Sequence, residues 1–326
     1  MSKKNEMNER NSRFQPWLKT ARHSQLVEYL DGKVIFPIEV EISPSRVCNA
    51  KCPVCFYGKI EDKINGPNFF KESRMESLIE EFAILGIKSV DWSGGGEPTL
   101  HPSFPKFAEW IKQNEIKQGL FTNALNPIKY DPSLFEWIRV TKTNYDLNEE
   151  SLIDLRKCKT LGICINYRGK EDNKNIKNAL NIAEKLHTSR ENSSYDTYVQ
   201  VRPALKTRGE KVNIEPPNIK HPLLNTTHYK FSDSNSDKLY ENCEGYHFIT
   251  WIWQDGDVDV CSHHRKNSKF NLGNLYNEKK EGRFKYIMSN APTSVKVAKD
   301  CQVCCKVHET NSLIHAMKNL KDSDFP

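Results

Sequence analysis

The chain has 326 residues, enough for one large domain plus a smaller one around a hydrophobic core. Its 37% hydrophobic content and mean hydropathy of −0.70, with no apolar run near the roughly 20 residues of a membrane helix, argue against a membrane-spanning helical protein. A formal charge of +6, with 48 Lys and Arg scattered among 42 acids, argues for a solvated surface. Nucleic-acid binders instead gather their basic residues into a stripe interleaved with aromatics.

In chain order, residues 1–36 are polar with a short apolar patch at Leu26 and Leu30, which predicts a disordered tip followed by one helix. Positive charge without an apolar segment behind it is not a secretory signal, so a cytoplasmic location is expected. Ile38, Val40 and Ile42 alternate with Glu39 and Glu41, the period-2 pattern of a strand. Ser73 and Glu76 suggest a capping box, Met75, Leu78, Ile79, Phe82 and Leu85 keep helical spacing, and Gly86 suits the stop. A second strand at 87–92 runs into Ser93-Gly94-Gly95-Gly96-Glu97-Pro98. The alternation continues: a helix through Phe104 to Ile111, a strand at 119–122, a short helix near Leu134 and a strand at 138–141. A helix near 152–155, a strand at 161–166, a helix from Ile176 to Leu186 and a sixth strand at 198–202 complete it. Six strands alternating with helices predict an α/β fold, a partial (β/α)6 TIM-type barrel over residues 37–212. Ligands of such folds sit at the carboxyl ends of the strands, where the first cysteine group and the glycine loop both fall. Residues 213–238, rich in Pro, Asn, Ser and Lys, read as a linker. Residues 239–326 read as a small domain of a β-hairpin plus a helix.

Ten cysteines in a chain read as intracellular point to metal ligands or nucleophiles rather than disulfides. Cys48, Cys52 and Cys55 place three thiols within eight residues. Three thiolates hold three corners of a four-iron cube and leave one iron open, the mark of a catalytic rather than a structural site. Zinc sites more often show paired C-x2-C units.

CxxxCxxC after the first strand, followed by GGGEP after the second, resembles the radical S-adenosylmethionine superfamily over residues 38–203. The resemblance implies that Cys48, Cys52 and Cys55 ligate a [4Fe-4S] cluster whose open iron binds the amino and carboxylate groups of S-adenosylmethionine. It also implies that reductive cleavage gives a 5′-deoxyadenosyl radical that takes a hydrogen atom from a substrate. Gly95, Gly96 and Glu97 would cradle the methionyl amino group, with Glu97 as acceptor. Thr122, Asn123, Asn166 and Arg202, at the ends of later strands, are further candidate cofactor contacts. Val54 stands where the family has an aromatic residue before the third cysteine, and Phe56 or Tyr57 is expected to supply that packing. A one-electron donor such as flavodoxin or ferredoxin is implied.

The second cysteine group reads C-x12-G-x4-C, from Cys243 through Gly256 to Cys261, and then Cys301-Gln302-Val303-Cys304-Cys305. The run 248–253, the turn Gln254-Asp255-Gly256 and the alternation of Val258 and Val260 predict a β-hairpin that brings Cys243 and Cys261 together. The C-x2-C pair then opens a last helix at 307–320. The spacing resembles the SPASM/Twitch auxiliary-cluster domains, nearer the one-cluster Twitch form. This resemblance implies a second, auxiliary [4Fe-4S] cluster on Cys243, Cys261, Cys301 and Cys304, with Cys305 able to replace Cys304. Such a cluster would pass electrons rather than bind substrate.

Cys158 and Cys164 read as small core residues, and His263, His264 and Arg265 as a solvated basic turn. Lys206 and Arg208 read as surface charges, and Trp251 and Trp253 as packing in the small domain. Two substrate classes fit equally: a ribosomal peptide to be crosslinked, oxidised or epimerised, and a small molecule such as a sugar or aminocyclitol. About 37 residues precede the first strand, short for the leader-binding module of many peptide-modifying enzymes. The third reading, in another class, is a non-catalytic protein with structural zinc or iron–sulfur sites.

Overall fold

The computed structural model describes residues 16–52, 55, 57, 66–142, 152–190, 194–204, 214–226, 239–277, 279, 283–297 and 307–320. Six strands, β1 (Glu39–Ile42), β2 (Ser89–Trp92), β3 (Lys117–Thr122), β4 (Trp137–Lys142), β5 (Thr160–Tyr167) and β6 (Asp196–Pro203), lie parallel in chain order. The sheet is a partial barrel. Its edges among the described residues are β7 (Leu224–Thr226), parallel beside β6, and β11 (Asn271–Asn274).

Side-chain alternation separates the two faces. Leu161, Ile163 and Ile165 of β5 and Val199 and Val201 of β6 join the main core with the helices. Gly162, Cys164 and Asn166, and Tyr198, Gln200 and Arg202, therefore face the concave side. Three amphipathic helices cover the convex side: α3 (Glu72–Leu85), α4 (Phe104–Gln113) and α5 (Asn173–Thr188). Met75, Leu78, Ile79 and Phe82 of α3 and Phe104, Phe107, Ala108 and Ile111 of α4 are buried as their spacing requires. Gly86 ends α3 in the left-handed region, with φ of 74°. Between β3 and β4, and between β4 and β5, the described crossover turns are short 3-10 turns, Pro132–Leu134 and Asp154–Lys157, rather than the expected helices.

The expected capping box of α3 does not form. The helix begins at Glu72 after Lys71, without a side-chain cap. Tertiary partners take its place: the Tyr276 hydroxyl accepts from the Lys71 N–H at 2.9 Å, and the Glu72 carboxylate binds Ser103 and Lys106. Leu224 to Thr226, in the stretch read as a linker, form the edge strand β7.

The predicted hairpin is present as β9 (Ile249–Ile252) and β10 (Asp257–Asp259), antiparallel and extended by β11. It does not stand apart from the barrel sheet, because β9 pairs in parallel with β1 through Glu39↔Ile249 to Ile42↔Ile252. Helix α6 (Phe284–Ser289) packs Phe284 against Phe82 of α3, and the Glu81 carboxylate accepts from the N–H groups of Phe284 and Lys285.

A second core gathers Leu26 and Ile35 with Tyr240, Cys243, Tyr246, Phe248, Val260, Cys261, Val307 and Ile314. The N-terminal region contributes two short helices, α1 (Pro16–Ala21) and α2 (Gln25–Leu30), where one was expected. Thr20 meets Thr310 of α7 (His308–Lys318), and Tyr29 of α2 donates its hydroxyl to Glu244, which also binds Lys318. The small strands β8 (Asn242–Cys243) and β12 (Val295–Lys296) pair beside this core. No described helix is long and apolar enough to cross a membrane.

Candidate functional site

At the carboxyl end of β1, residues 43–47 lead to Cys48, and Cys52 and Cys55 follow in one loop, where the Cys55 N–H donates to the Cys52 carbonyl at 3.0 Å. Burial pushes the Cys48 thiol up; the Ala50 N–H opposes this, while charge on Glu97, Cys52 and Cys55 adds to it. Cys48, Cys52 and Cys55 lie in one loop beside Glu97, a donor set of three thiols with the chemistry of an iron–sulfur ligand set. Among the described residues, no three His, Cys, Asp or Glu side chains converge tightly enough to grip a single ion. Val54 and Phe56 lie outside the described residues.

The glycine loop is pressed against the backbone that delivers Cys48. Gly94 has φ of 141°, and a Cβ there would lie 2.0 Å from Ser43 Oγ. A Cβ on Gly96 would lie 2.3 Å from the Val47 carbonyl oxygen. Gly95 donates its N–H to Ser43 Oγ at 3.0 Å, Gly96 to the Ser45 carbonyl at 3.0 Å and Glu97 to the Val47 carbonyl at 2.8 Å. Only glycine lets two backbones approach this closely.

The Glu97 carboxylate, 3% exposed, gathers the surrounding elements. Its Oε1 accepts from the Thr99 N–H at 3.2 Å, the Thr99 hydroxyl at 2.7 Å and the Thr122 hydroxyl at 2.7 Å. Its Oε2 accepts from the Asn123 N–H at 2.8 Å. Burial raises its pKa against these stabilising bonds. A carboxylate has about four lone-pair sites, so Oε2 keeps one for a cation or ammonium. Asn123 carries the network to the thiols, with Nδ2 at 2.8 Å from Asn49 Oδ1 and 3.8 Å from Cys48 Sγ. Thr122 and Asn123 thus support Glu97 and Cys48, a role their position at a strand end did not specify.

Farther around the mouth, Arg202 Nε donates to Asn166 Oδ1 at 2.8 Å across the β5–β6 pair. Below them lie Cys164, whose Sγ is 3.9 Å from Gln200 Oε1, and Arg139, whose Nε donates to the Tyr198 hydroxyl at 2.6 Å. Cys164 is therefore a concave-face thiol, whereas Cys158 belongs to the core behind the sheet. The Ser93 hydroxyl donates to Glu41 on the β1 side.

Tyr57 packs edge-on against Trp253 at 5.7 Å and is hydrogen-bonded to Ser262. Tyr57 thereby ties the first cysteine loop to the hairpin. Lys206 and Arg208 lie outside the described residues.

In the second cysteine group, Cys243 on β8 and Cys261 after β10 are both buried in the second core. Asn311 Nδ2 donates to Cys243 Sγ at 3.4 Å, and the His263 N–H donates to Cys261 Sγ at 3.4 Å. Asn311 Oδ1 also accepts from the N–H groups of Glu244 and Gly245. Such donors to sulfur suit a metal-bound thiolate. Asn311 carried no sequence signal, since a helical Asn usually reads as exposed. Cys301, Cys304 and Cys305 lie outside the described residues.

The turn after Cys261 is not a solvated basic loop. Arg265 is 1% exposed, 3.1 Å from Asp255 and 4.2 Å above the Trp253 ring, and His264 stacks on Phe270. Asp259 accepts from the Trp253 indole at 2.8 Å and Asn271 at 3.0 Å, and burial pushes its carboxyl up to about 7.

No protein-family model matches the chain. Over 111 residues it is 31% identical to the GTP 3′,8-cyclase of Pasteurella multocida (strain Pm70), spanning 33% of this chain and 32% of that protein. The chain spans about a third of the length of the curated relatives it matches. In fold it is similar to Streptococcus suis SuiB bound to S-adenosylmethionine, with a TM-score of 0.56 and 18% identity over 82% of this chain and 70% of that one. It is also similar to SuiB bound to its precursor peptide SuiA, with a TM-score of 0.52 and 16% identity over 94% and 72%. The fold is thus a mixed α/β partial barrel with a largely parallel sheet. Sequence similarity in one segment, together with this fold, supports the radical S-adenosylmethionine superfamily for the chain.

Proposed function

We propose that the chain is a radical S-adenosylmethionine enzyme, with Cys48, Cys52 and Cys55 holding a [4Fe-4S] cluster beside a bound S-adenosylmethionine. When bound, that pair supplies a 5′-deoxyadenosyl radical for hydrogen abstraction from the substrate. Gly95 and Gly96 let backbone approach the methionyl end, and the open lone pair of Glu97 Oε2 accepts from its ammonium, a charge-assisted bond in a site shielded from water. Thr122 and Asn123 fix that carboxylate. Arg202, oriented by Asn166, offers the rest of its guanidinium to a carboxylate or hydroxyl at the mouth. Cys243, Cys261, Cys301 and Cys304 would hold the auxiliary cluster, in a domain over residues 239–326, and pass electrons between the site and a flavodoxin or ferredoxin.

The observation that carries this reading is the Glu97 network. One buried carboxylate joins the glycine loop, the end of β3 and, through Asn123, the first cysteine loop. The test is anaerobic reconstitution of the full chain, with iron analysis and detection of 5′-deoxyadenosine after reduction. About eight irons per chain would match two four-iron clusters, and Cys48→Ala should abolish cofactor cleavage. Colourless protein that carries zinc would favour the non-catalytic alternative.

For the substrate, the likeness to a SuiB structure that holds a precursor peptide favours a peptide. A second reading, a small polar molecule, is favoured by the concave face, where Cys164, Asn166, Gln200, Tyr198 and Arg202 come together on β5 and β6. Product formation from candidate peptides and from sugars or aminocyclitols separates the two.

A further inference from the structure

Two buried hydrogen-bond donors in the second core have no partner among the described residues. Tyr246 and Trp251 are 0% and 4% exposed, and both belong to the cluster that contains Cys243 and Cys261. Neither the Tyr246 hydroxyl nor the Trp251 indole N–H meets a hydrogen-bonding group among the described residues. Leaving such a group unsatisfied is costly, and buried polar groups are nearly always paired. An indole N–H is only a donor, so its natural complement is an acceptor.

The placement of the two residues narrows that acceptor. Tyr246 sits in the 3-10 turn Gly245–His247, three residues beyond Cys243, and Asn311 Oδ1 pins the start of this turn at 2.7 Å from the Gly245 N–H. Trp251 faces Asp259 across the hairpin, two residues before Cys261 on the neighbouring strand. Asn311 and His263 already donate to the two sulfurs. Two donors thus already reach the two sulfurs, while the Tyr246 hydroxyl, three residues beyond Cys243, and the Trp251 indole N–H, on the strand paired with the one that leads to Cys261, have no matching acceptor among the described residues. A sulfide-rich, negatively charged centre would satisfy both.

We infer that the Tyr246 hydroxyl and the Trp251 indole N–H donate hydrogen bonds to the sulfurs of the iron–sulfur centre that Cys243 and Cys261 help to hold, and that they raise its reduction potential. The inference rests on the proposed reading of the second cysteine group as a cluster site. No bond is made or broken in the cluster. One electron added to it makes the sulfurs better acceptors, so the donors favour the reduced state.

The test uses the reconstituted full chain and an EPR-monitored redox titration, with the cluster on Cys48, Cys52 and Cys55 as internal reference. Tyr246→Phe keeps the ring and removes only the hydroxyl. At the wild-type midpoint of the second centre, its reduced-to-oxidised ratio should fall about tenfold, a lowering of about 59 mV for a one-electron couple, while the reference stays in place. Trp251→Phe should shift it in the same direction. An unchanged midpoint with full iron content would overturn the inference.

A second readout needs no cluster. In the metal-free chain Tyr246→Phe removes an unsatisfied group, so the melting temperature should hold or rise by about 2 °C. A fall of several degrees would mean that the hydroxyl is already satisfied within the protein, and would also overturn it. If wild type binds only about four irons and Cys243→Ala leaves that number unchanged, the cluster reading fails and the inference falls with it. That result is distinct from an intact second centre whose potential does not move.

Discussion

Gly96→Ala is the sharpest test of the site geometry. The added Cβ would lie 2.3 Å from the Val47 carbonyl oxygen, 2.5 Å from the Arg46 carbonyl carbon and 2.7 Å from the Arg46 oxygen. All three are backbone atoms, so no rotamer relieves the contact. Reaching ordinary van der Waals separation needs a displacement of about 1 Å, which weakens the Gly96-to-Ser45 and Glu97-to-Val47 hydrogen bonds. Overpacking of this kind costs about 1–3 kcal/mol. Cys48 follows Val47 directly, so its thiol moves with the segment. A misplacement of about 1 Å in a catalytic array lowers rates about 100-fold. The expected outcome is a chain that folds, melts a few degrees lower and releases 5′-deoxyadenosine about 100-fold more slowly. Gly96 is not among the glycines with positive φ, so the steric contact acts without a left-handed backbone penalty. Wild-type release by Gly96→Ala at full iron content would refute the claim that this contact positions Cys48.

Thr122→Val removes the hydroxyl that donates to Glu97 Oε1 and accepts from the Ala124 N–H. It should cost about 2 kcal/mol and weaken S-adenosylmethionine binding in a titration; unchanged affinity would remove Thr122 from the site. His101, 4% exposed, is held neutral: burial lowers its pKa below 6.5, its Nδ1 accepts from the Ser103 N–H, and Nε2 then donates to the Phe70 carbonyl. Because the unfolded chain takes up this proton first, the His101 contribution is complete above pH 6.5 and is lost as pH falls toward the folded value. His101→Gln should flatten that limb of a melting-temperature profile, and an unaltered slope would dismiss His101 as its source. Cys301→Ala should reduce the iron content by about four per chain and spare cofactor cleavage while impairing product formation.

The features legible in the sequence were those that depend on local pattern. Met75, Leu78, Ile79 and Phe82 announced a helix because one face must be buried, and Val40 and Ile42 announced a strand for the same reason. The thiol spacing and the glycine loop marked the site, because a three-thiolate loop and a close backbone approach each demand particular residues at fixed offsets. Features made by distant partners were hidden. The pairing of β9 with β1 joins segments far apart in the chain, and nothing in Glu39–Ile42 distinguishes an edge from an interior strand. Arg265 looked solvated because Asp255 and Trp253, which bury it, approach only when the hairpin closes. The start of α3 is hidden because Tyr276, which holds the Lys71 N–H, and Ser103, which holds the Glu72 carboxylate, come from distant segments, and the helix begins before Ser73. Asn123 reads from the sequence as a candidate cofactor contact, but that its amide carries the Glu97 network to Asn49 and Cys48 depends on partners far along the chain.

The same long-range logic makes the N-terminal segment part of the second core, which residues 1–36 did not reveal by composition. Leu26 is 4% exposed and packs in the cluster that contains Cys243, Cys261 and Ile314, while the barrel core is a separate set of residues. Leu26→Ala should therefore cost about 2–5 kcal/mol, with the loss falling on the second core. Tyr29 and Thr20 keep α1 and α2 attached through Glu244 and Thr310, so the segment should remain in place around a local cavity. The expected result is partial loss of the iron bound near Cys243, measured by iron analysis, with 5′-deoxyadenosine release preserved. Barrel and second core meet through the β1–β9 pairing and the Tyr57–Trp253 contact, so a loss of cofactor cleavage equal to the loss of iron would show that the two centres share one cooperative unit. That outcome would refute the assignment of α1 and α2 to the second core alone.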